Sequence, residues 1–264
     1  MDQNKSVIKS EQPNINMNYD QLEVTVFSDF VSLGAAAATH VAKILNETVA
    51  ARGTASIILA TGNSQLSFLK AIQTDETIAW DKISVFHMDE YLGMSDTHPA
   101  SFRKYMYDNL VSHVHPREFY GLKGDAPNVG VEIARYTQLL AQQQPVLCVM
   151  GIGENGHLAF NDPPADFETT ATLHVVNLDE ACRRQQVGEG HFAALAAVPT
   201  QALSLTISAL IRPPHVLVIA PETRKAAAIK AALTGPITPD CPASILRTCA
   251  HAQLYLDRDS ASLL

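Results

Sequence analysis

His157 stands two residues after an amide, Asn155, and five before a carboxylate, Asp162, in the run GIGENGHLAFND at 151–162. Imidazole changes charge near neutral pH, and a neighbouring amide and carboxylate can orient it and help it take up or release a proton. A pair of acids, Asp89 and Glu90, sits in HMDEYLG at 87–93. Two acids at the end of an apolar segment are costly unless used or paired. One of them can remove a proton from carbon next to a carbonyl. Thr61, Gly62, Asn63 and Ser64 offer a glycine and two hydroxyls just before a helical pattern. Main-chain N–H groups and a helix dipole at such a turn favour an anion. Arg224 and Lys225 open a later helix and can add positive charge. Each group also has a plainer reading: a polar loop histidine, a salt-bridged or helix-capping acid pair, an ordinary N-cap, and solvated surface cations.

The elements that must position these residues alternate between strand and helix. Continuous apolar runs predict strands at Leu22–Phe27, Ser56–Ala60, Ile83–Met88, Val146–Met150 and Val216–Ala220. Further strand candidates are Leu173–Val176 and Ala202–Ile207, with a last edge strand at Leu254–Leu256. Ser28 or Asp29 can cap a helix whose positions Leu33, Ala37, Val41, Ile44, Leu45 and Thr48 keep helical spacing, and Arg52-Gly53 ends it. Helices are also predicted through Leu66, Leu69 and Ile72, over Ser101–Leu110, over Val129–Gln143 and over Thr223–Leu233. Such alternation predicts an α/β fold: a Rossmann-like, doubly wound, mostly parallel sheet with helices on both faces, in one domain. Ligands of open parallel sheets bind beyond the carboxyl ends of the strands. There the three chemically equipped loops converge, and convergence favours an active site over the separate plain readings. The glycines at 151 and 153 are expected to let the chain turn sharply after its strand.

The whole chain narrows the choice of partner. Its 264 residues are 47% hydrophobic with a net charge of −8, a pI near 5.6 and a mean hydropathy of +0.02. An acidic chain is a poor match for nucleic acid, which needs a basic field. No run approaches the ~18 apolar residues of a membrane helix. Residues 1–21 have no apolar stretch resembling a secretory signal and are expected to form a flexible extension, with the domain proper at 22–264. Cys148, Cys182, Cys241 and Cys249 make no paired motif and read as thiols of a cytoplasmic protein. His113 and His115 have no matching ligand cluster, so no metal is expected.

Read together, these segments resemble the glucosamine-6-phosphate deaminase (isomerase) family, whose fold is shared by the 6-phosphogluconolactonases. The matching pieces are LATGNS at 59–64, FHMDEYLGM at 86–94, HPASF at 98–102, GIGENGHLAFNDP at 151–163, VPTQALSLTI at 198–207 and ETRKAAAIKAAL at 222–233. Tyr91 after the acid pair, and Leu158 to Pro163 after the histidine, fit the deaminase branch better than the lactonase branch. The resemblance implies a cofactor-free conversion of glucosamine 6-phosphate to fructose 6-phosphate and ammonia. His157 would open the ring, and Asp89 would move the C2 proton to C1. Asp162 would stand in for the family's glutamate, which tunes the histidine. Thr61, Gly62, Asn63, Ser64 and Lys225 would hold the phosphate. Asn155 replaces an aspartate found in many members; its side-chain oxygen is expected to accept from the imidazole. An arginine expected near Gly190-His191-Phe192 is missing, and Arg183 or Arg184 is expected to replace it as phosphate ligand. The family includes single chains and symmetric hexamers, so the resemblance admits a homo-oligomer. A sugar-phosphate lactonase and a sugar-phosphate binder without turnover are the alternatives.

Overall fold

Strands buried on both faces lose the polar alternation of a half-exposed sheet, and the central strands here read as nearly unbroken apolar runs. In the computed structural model, which describes residues 14–178, 180–188, 190 and 192–264, they form an eight-stranded sheet. Among the described residues, the strands of this sheet and of a second one are, in chain order, β1 (Ile15–Tyr19), β2 (Leu22–Phe27), β3 (Ala55–Leu59), β4 (Ile83–His87), β5 (Asp89–Tyr91), β6 (Glu118–Tyr120), β7 (Leu147–Met150), β8 (Leu173–Asn177), β9 (Gln201–Leu205), β10 (His215–Ile219) and β11 (Ala252–Asp257). The large sheet runs β1-β2-β11-β10-β7-β3-β4-β6, and β5-β9-β8 form a second, smaller sheet. Only β1 and β2 pair antiparallel in the large sheet. The small sheet is wholly antiparallel.

The two faces carry separate cores. On one, Ile57, Leu59, Val85, Val149 and Ile219 pack with Leu33, Val41 and Leu45 of the helix Phe30–Arg52 and with Phe68, Leu69 and Ile72 of the helix Leu66–Gln73. On the other, Ile58, Phe86, Cys148, Met150 and Val218 meet Tyr136 and Leu140 of the helix Val129–Gln143, Ile229 of the helix Ala226–Thr234, and Leu203 and Leu205 of the small sheet. Each fully buried aliphatic or aromatic side chain contributes roughly 1.5–3 kcal/mol. Asp29 caps the first helix by accepting from the Ser32 N–H at 2.8 Å, and Gly53 ends it at φ 81°.

Three expectations change. Residues 15–19 are not part of a flexible extension: β1 pairs along β2 from Ile15↔Val26 to Tyr19↔Leu22. Residues 1–13 of the expected extension lie outside the described residues. The strand containing Leu254–Leu256 is interior, between β2 and β10, as its almost complete burial requires. The Ser101–Leu110 segment is a short helix, Phe102–Met106, that widens into a π-helical turn over Tyr107–Val111.

The strand order reverses at β3 and β7. From β3 the chain proceeds outward through β4 to β6, then returns to place β7 and β10 on the other side. A crevice opens at such a reversal, beyond the carboxyl ends of the strands. At the end of β4 the chain leaves the large sheet. Met88 accepts from Leu205 N–H at 2.8 Å, and Asp89 begins β5 on the small sheet. Asp89 therefore stands where the two sheets meet.

Candidate active site

The crevice is lined by the loops after four strands: Thr61 to Ser64 after β3, Met88 and Asp89 after β4, Gly151, Gly153 and His157 after β7, and Arg224 and Lys225 after β10. Two short helical turns, Asn63–Gln65 and Thr223–Lys225, lead into the helices Leu66–Gln73 and Ala226–Thr234. Both aim their N-termini at this crevice, so their dipoles and unpaired N–H groups favour an anion there. Gly62 takes φ 102°, a conformation that suits glycine. Its carbonyl accepts from Tyr105 Oη at 2.8 Å, which ties the turn to the helix Phe102–Met106.

Asp89 and Glu90 divide the two readings of an acid pair. Glu90 accepts from Ser101 Oγ at 2.8 Å, from the N–H groups of Tyr91, Phe102 and Arg103 at 3.0–3.1 Å, and from Arg103 Nε at 3.4 Å. It is a buried carboxylate that fastens β5 to the start of the helix. Asp89 faces the crevice. It is 7% exposed, and its Oδ1 is buried without a hydrogen-bond partner. Burial, reinforced by the nearby Glu90 charge, pushes its pKa up to about 8. Phe102 and Phe160 stack at 5.7 Å beside Tyr91 and give this part of the crevice an apolar wall. His87, just before, is buried; its Nε2 accepts from Leu122 N–H at 2.8 Å. Burial lowers its pKa to about 3, which keeps it neutral.

His157 Nδ1 lies 3.1 Å from Asp162 Oδ1. The shorter aspartate therefore reaches the imidazole. With Nδ1 turned to Asp162, Nε2 is the ring nitrogen left for proton exchange with a ligand. Asn155 acts differently from expectation. Its Oδ1 accepts from the His157 main-chain N–H at 3.1 Å rather than from the ring, and its Nδ2 donates to Asp162 Oδ1 at 2.9 Å. It steadies the carboxylate that faces the imidazole. The glycines divide their work unexpectedly as well. Gly156, at φ 87°, is the one that needs a left-handed backbone. A methyl on Gly153 would sit 2.3 Å from the His157 ring, so that glycine makes room for the imidazole.

Arg183 does not join the site. Its Nη2 donates to the carbonyls of Leu195 and Val198 at 2.7 and 3.0 Å, and it is not among the residues lining the crevice. Those carbonyls, from the segment that follows, fix the guanidinium through Nη2, while its Nε is buried without a partner. Arg184 pairs with Glu180 on the same exposed face. Among the lining residues, Gln186 carried no sequence signal. Gln186 accepts from Tyr91 Oη at 2.7 Å; a glutamine on a polar helix looks like solvated surface until the fold turns it inward.

Residues 28–256 match the family model of glucosamine-6-phosphate isomerases/6-phosphogluconolactonase. The chain belongs to this family. Within it, the chain is similar to a glucosamine-6-phosphate deaminase of Exiguobacterium sibiricum, 36% identical over 209 residues that cover 79% of this chain and 81% of the relative. A glucosamine-6-phosphate deaminase of Streptococcus uberis is 33% identical over 84% of this chain and 92% of its own. A solved monomeric glucosamine-6-phosphate deaminase superposes with a TM-score of 0.84 at 28% identity, covering 91% of this chain and 99% of that one. A 6-phosphogluconolactonase of Shewanella baltica shares the fold, with a TM-score of 0.71 at 19% identity over 89% and 97% of the two chains. Among the described residues, this family member has no helix long and apolar enough to cross a membrane.

Proposed function

We propose that the protein is an amino-sugar phosphate deaminase that converts glucosamine 6-phosphate and water to fructose 6-phosphate and ammonia. The observation that carries this reading is Asp89: a buried carboxylate with an unpartnered oxygen, in the same crevice as an imidazole and an anion cradle. The phosphate is held by the turn Thr61-Gly62-Asn63-Ser64 and by Lys225, which anchors the far end of the sugar. His157, steadied through Asp162 and Asn155, moves the proton that opens the ring. Asp89 then takes the proton from C2 and returns it to C1 through an enolamine. The resulting imine takes up water and releases ammonia. A carboxylate whose pKa is raised by burial is a stronger base toward carbon, and anchoring the phosphate converts its encounter with C2 into an intramolecular one. These proton transfers call for no metal or organic cofactor. The deaminase relatives, 36% and 33% identical over most of their length, support the same substrate class, and the proposal includes a cytoplasmic setting.

The test is to incubate the purified protein with glucosamine 6-phosphate and follow both products. Ammonia and fructose 6-phosphate are expected in equal amounts. A protein that releases neither, or that hydrolyses a sugar-phosphate lactone instead, would overturn the proposal.

A further inference from the structure

The turn after β10 has the same backbone shape as the turn after β3. Gln65 and Lys225 both take φ −91°, ψ −14°, and their N–H groups donate to Gly62 O and Glu222 O at 3.1 and 3.0 Å. The residue that opens each turn differs. Gly62 takes φ 102°, ψ 163°, and Glu222 takes φ 80°, ψ 141°. A residue with a Cβ is strained there, and such strain persists where the surroundings enforce it, often at functional sites.

The surroundings are visible. The Glu222 N–H donates to both carboxylate oxygens of Asp257, at 3.1 and 3.2 Å. Asp257 is 4% exposed and also accepts from Ser260 N–H at 2.8 Å. The backbone is thereby clamped at the end of β11. The Glu222 side chain, partly exposed, reaches forward: its Oε2 accepts from Arg224 Nε at 2.5 Å. Arg224 Nη1 donates to Glu154 Oε1 at 3.1 Å, on the loop that carries His157. Arg224 lines the crevice next to Lys225 and the Thr61–Ser64 turn. A guanidinium fixed in its plane is prepared for a phosphate, because less side-chain freedom remains to be lost on binding.

We propose that Glu222 is a positioning residue, kept in a strained turn because its carboxylate holds the Arg224 guanidinium against the crevice, where it grips the phosphate of the substrate. The proposal rests on the deaminase reading for its substrate and adds Arg224 to the phosphate site. It separates two properties that normally move together. Glycine at 222 relaxes the backbone while removing the acceptor for Arg224.

The experiment compares wild type with Glu222→Gly, Glu222→Gln, Arg224→Gln and the double variant Glu222→Gly/Arg224→Gln. It reads Tm, KM and kcat for glucosamine 6-phosphate, and binding of inorganic phosphate by calorimetry. Glu222→Gly is expected to raise Tm by roughly 2 °C or more, since relief of about 1 kcal/mol moves Tm by that much in a chain of this size. It is also expected to weaken phosphate binding and raise KM about 5-fold, with the loss on KM rather than kcat. Glu222→Gln keeps an acceptor oxygen and a KM near wild type. Arg224→Gln raises KM about 10-fold or more, the scale of a hydrogen bond to a charged group. In that background Glu222→Gly adds no further loss. A Glu222→Gly protein with wild-type KM and wild-type phosphate affinity overturns the proposal, and so do effects that multiply independently in the double variant. Phosphate calorimetry needs no turnover. A wild type that binds phosphate through Glu222 and Arg224 without releasing ammonia would reject the deaminase reading and leave this one standing.

Discussion

Burial without a partner separates Asp89 from Glu90. Glu90 has five donors around it, whereas Asp89 has an oxygen left over and faces the crevice. The fold therefore favours the protonated form of Asp89, with its pKa near 8 instead of 3.8. A raised carboxylate pKa contributes stability that is present below the unfolded value and lost as pH rises through the folded one. Asparagine mimics the neutral acid and carries no such loss. The Tm of Asp89→Asn minus that of wild type is thus expected to be small near pH 4, to grow up to about pH 8 and to level off above it, measured by thermal unfolding across pH. A difference independent of pH would contradict the burial argument. The same shift sets the reaction's pH dependence: kcat/KM for wild type is expected to rise with an acid limb near pH 8, because only the ionised carboxylate can act as a base. Gly153 supplies a second test. Its backbone is not left-handed, so alanine fits the chain, but its methyl would meet the His157 ring at 2.3 Å. Gly153→Ala is expected to lose about 100-fold in turnover, the scale of a misplacement near 1 Å, while remaining folded by circular dichroism. The acid pair, the histidine and the Thr61–Ser64 turn were all legible as residue types. The choice of Asp89 over Glu90 came from the resemblance and not from residue types, because the difference between them depends on donors from residues 101–103 that only the fold brings to Glu90.

Between elements, the site depends on how closely the helices approach. The helix Phe30–Arg52 passes the helix Leu66–Gln73 at Gly34, where an added Cβ would lie 2.2 Å from Ser67 Oγ and 2.6 Å from the Ser67 carbonyl carbon. The second helix follows the crevice turn Thr61–Ser64 directly, so crowding at Gly34 also pushes on that turn. Gly34→Ala is expected to cost about 1–3 kcal/mol by overpacking, read by urea unfolding, and to raise KM as well. Wild-type stability would contradict the contact. The strand runs and the helix spacing were readable because two-sided burial and 3.6-residue periodicity leave compositional marks. Gly34 was not, since a glycine within a run of alanines gives no sign of the neighbour it must admit. Nor was the placement of β5, β8 and β9 in a separate sheet. A three-residue strand is too short to show a period, and the chain changes sheets across the single residue Met88.

At the scale of the molecule, the order of strands places the chemistry. Four loops meet at the β3–β7 reversal although their residues are spread from 61 to 225. Strand alternation predicted the parallel sheet and the end at which the loops meet. It did not predict that β1 would extend the sheet or that β11 would lie inside it, because pairing partners are far apart in sequence. Arg183 was misplaced for a related reason: its charge was visible, but the carbonyls that hold it come from residues 195 and 198. Removal of residues 1–20 tests the role of β1. It strips the partner from β2, the packing of Met17 and Tyr19 on the core, and the Asp20–Arg247 ion pair at 2.6 Å. Two half-buried side chains are worth about 2 kcal/mol, so Tm is expected to fall by roughly 4–8 °C; an unchanged Tm would contradict a structural β1. The most direct measurement of the central claim uses glucosamine 6-phosphate carrying deuterium at C2, with wild type and Asp89→Asn side by side. Wild type is expected to release ammonia more slowly than from the unlabelled sugar, with part of the deuterium carried to C1 of fructose 6-phosphate, and Asp89→Asn to lose about 100-fold or more. Turnover of the Asp89→Asn variant at the wild-type rate would contradict the account.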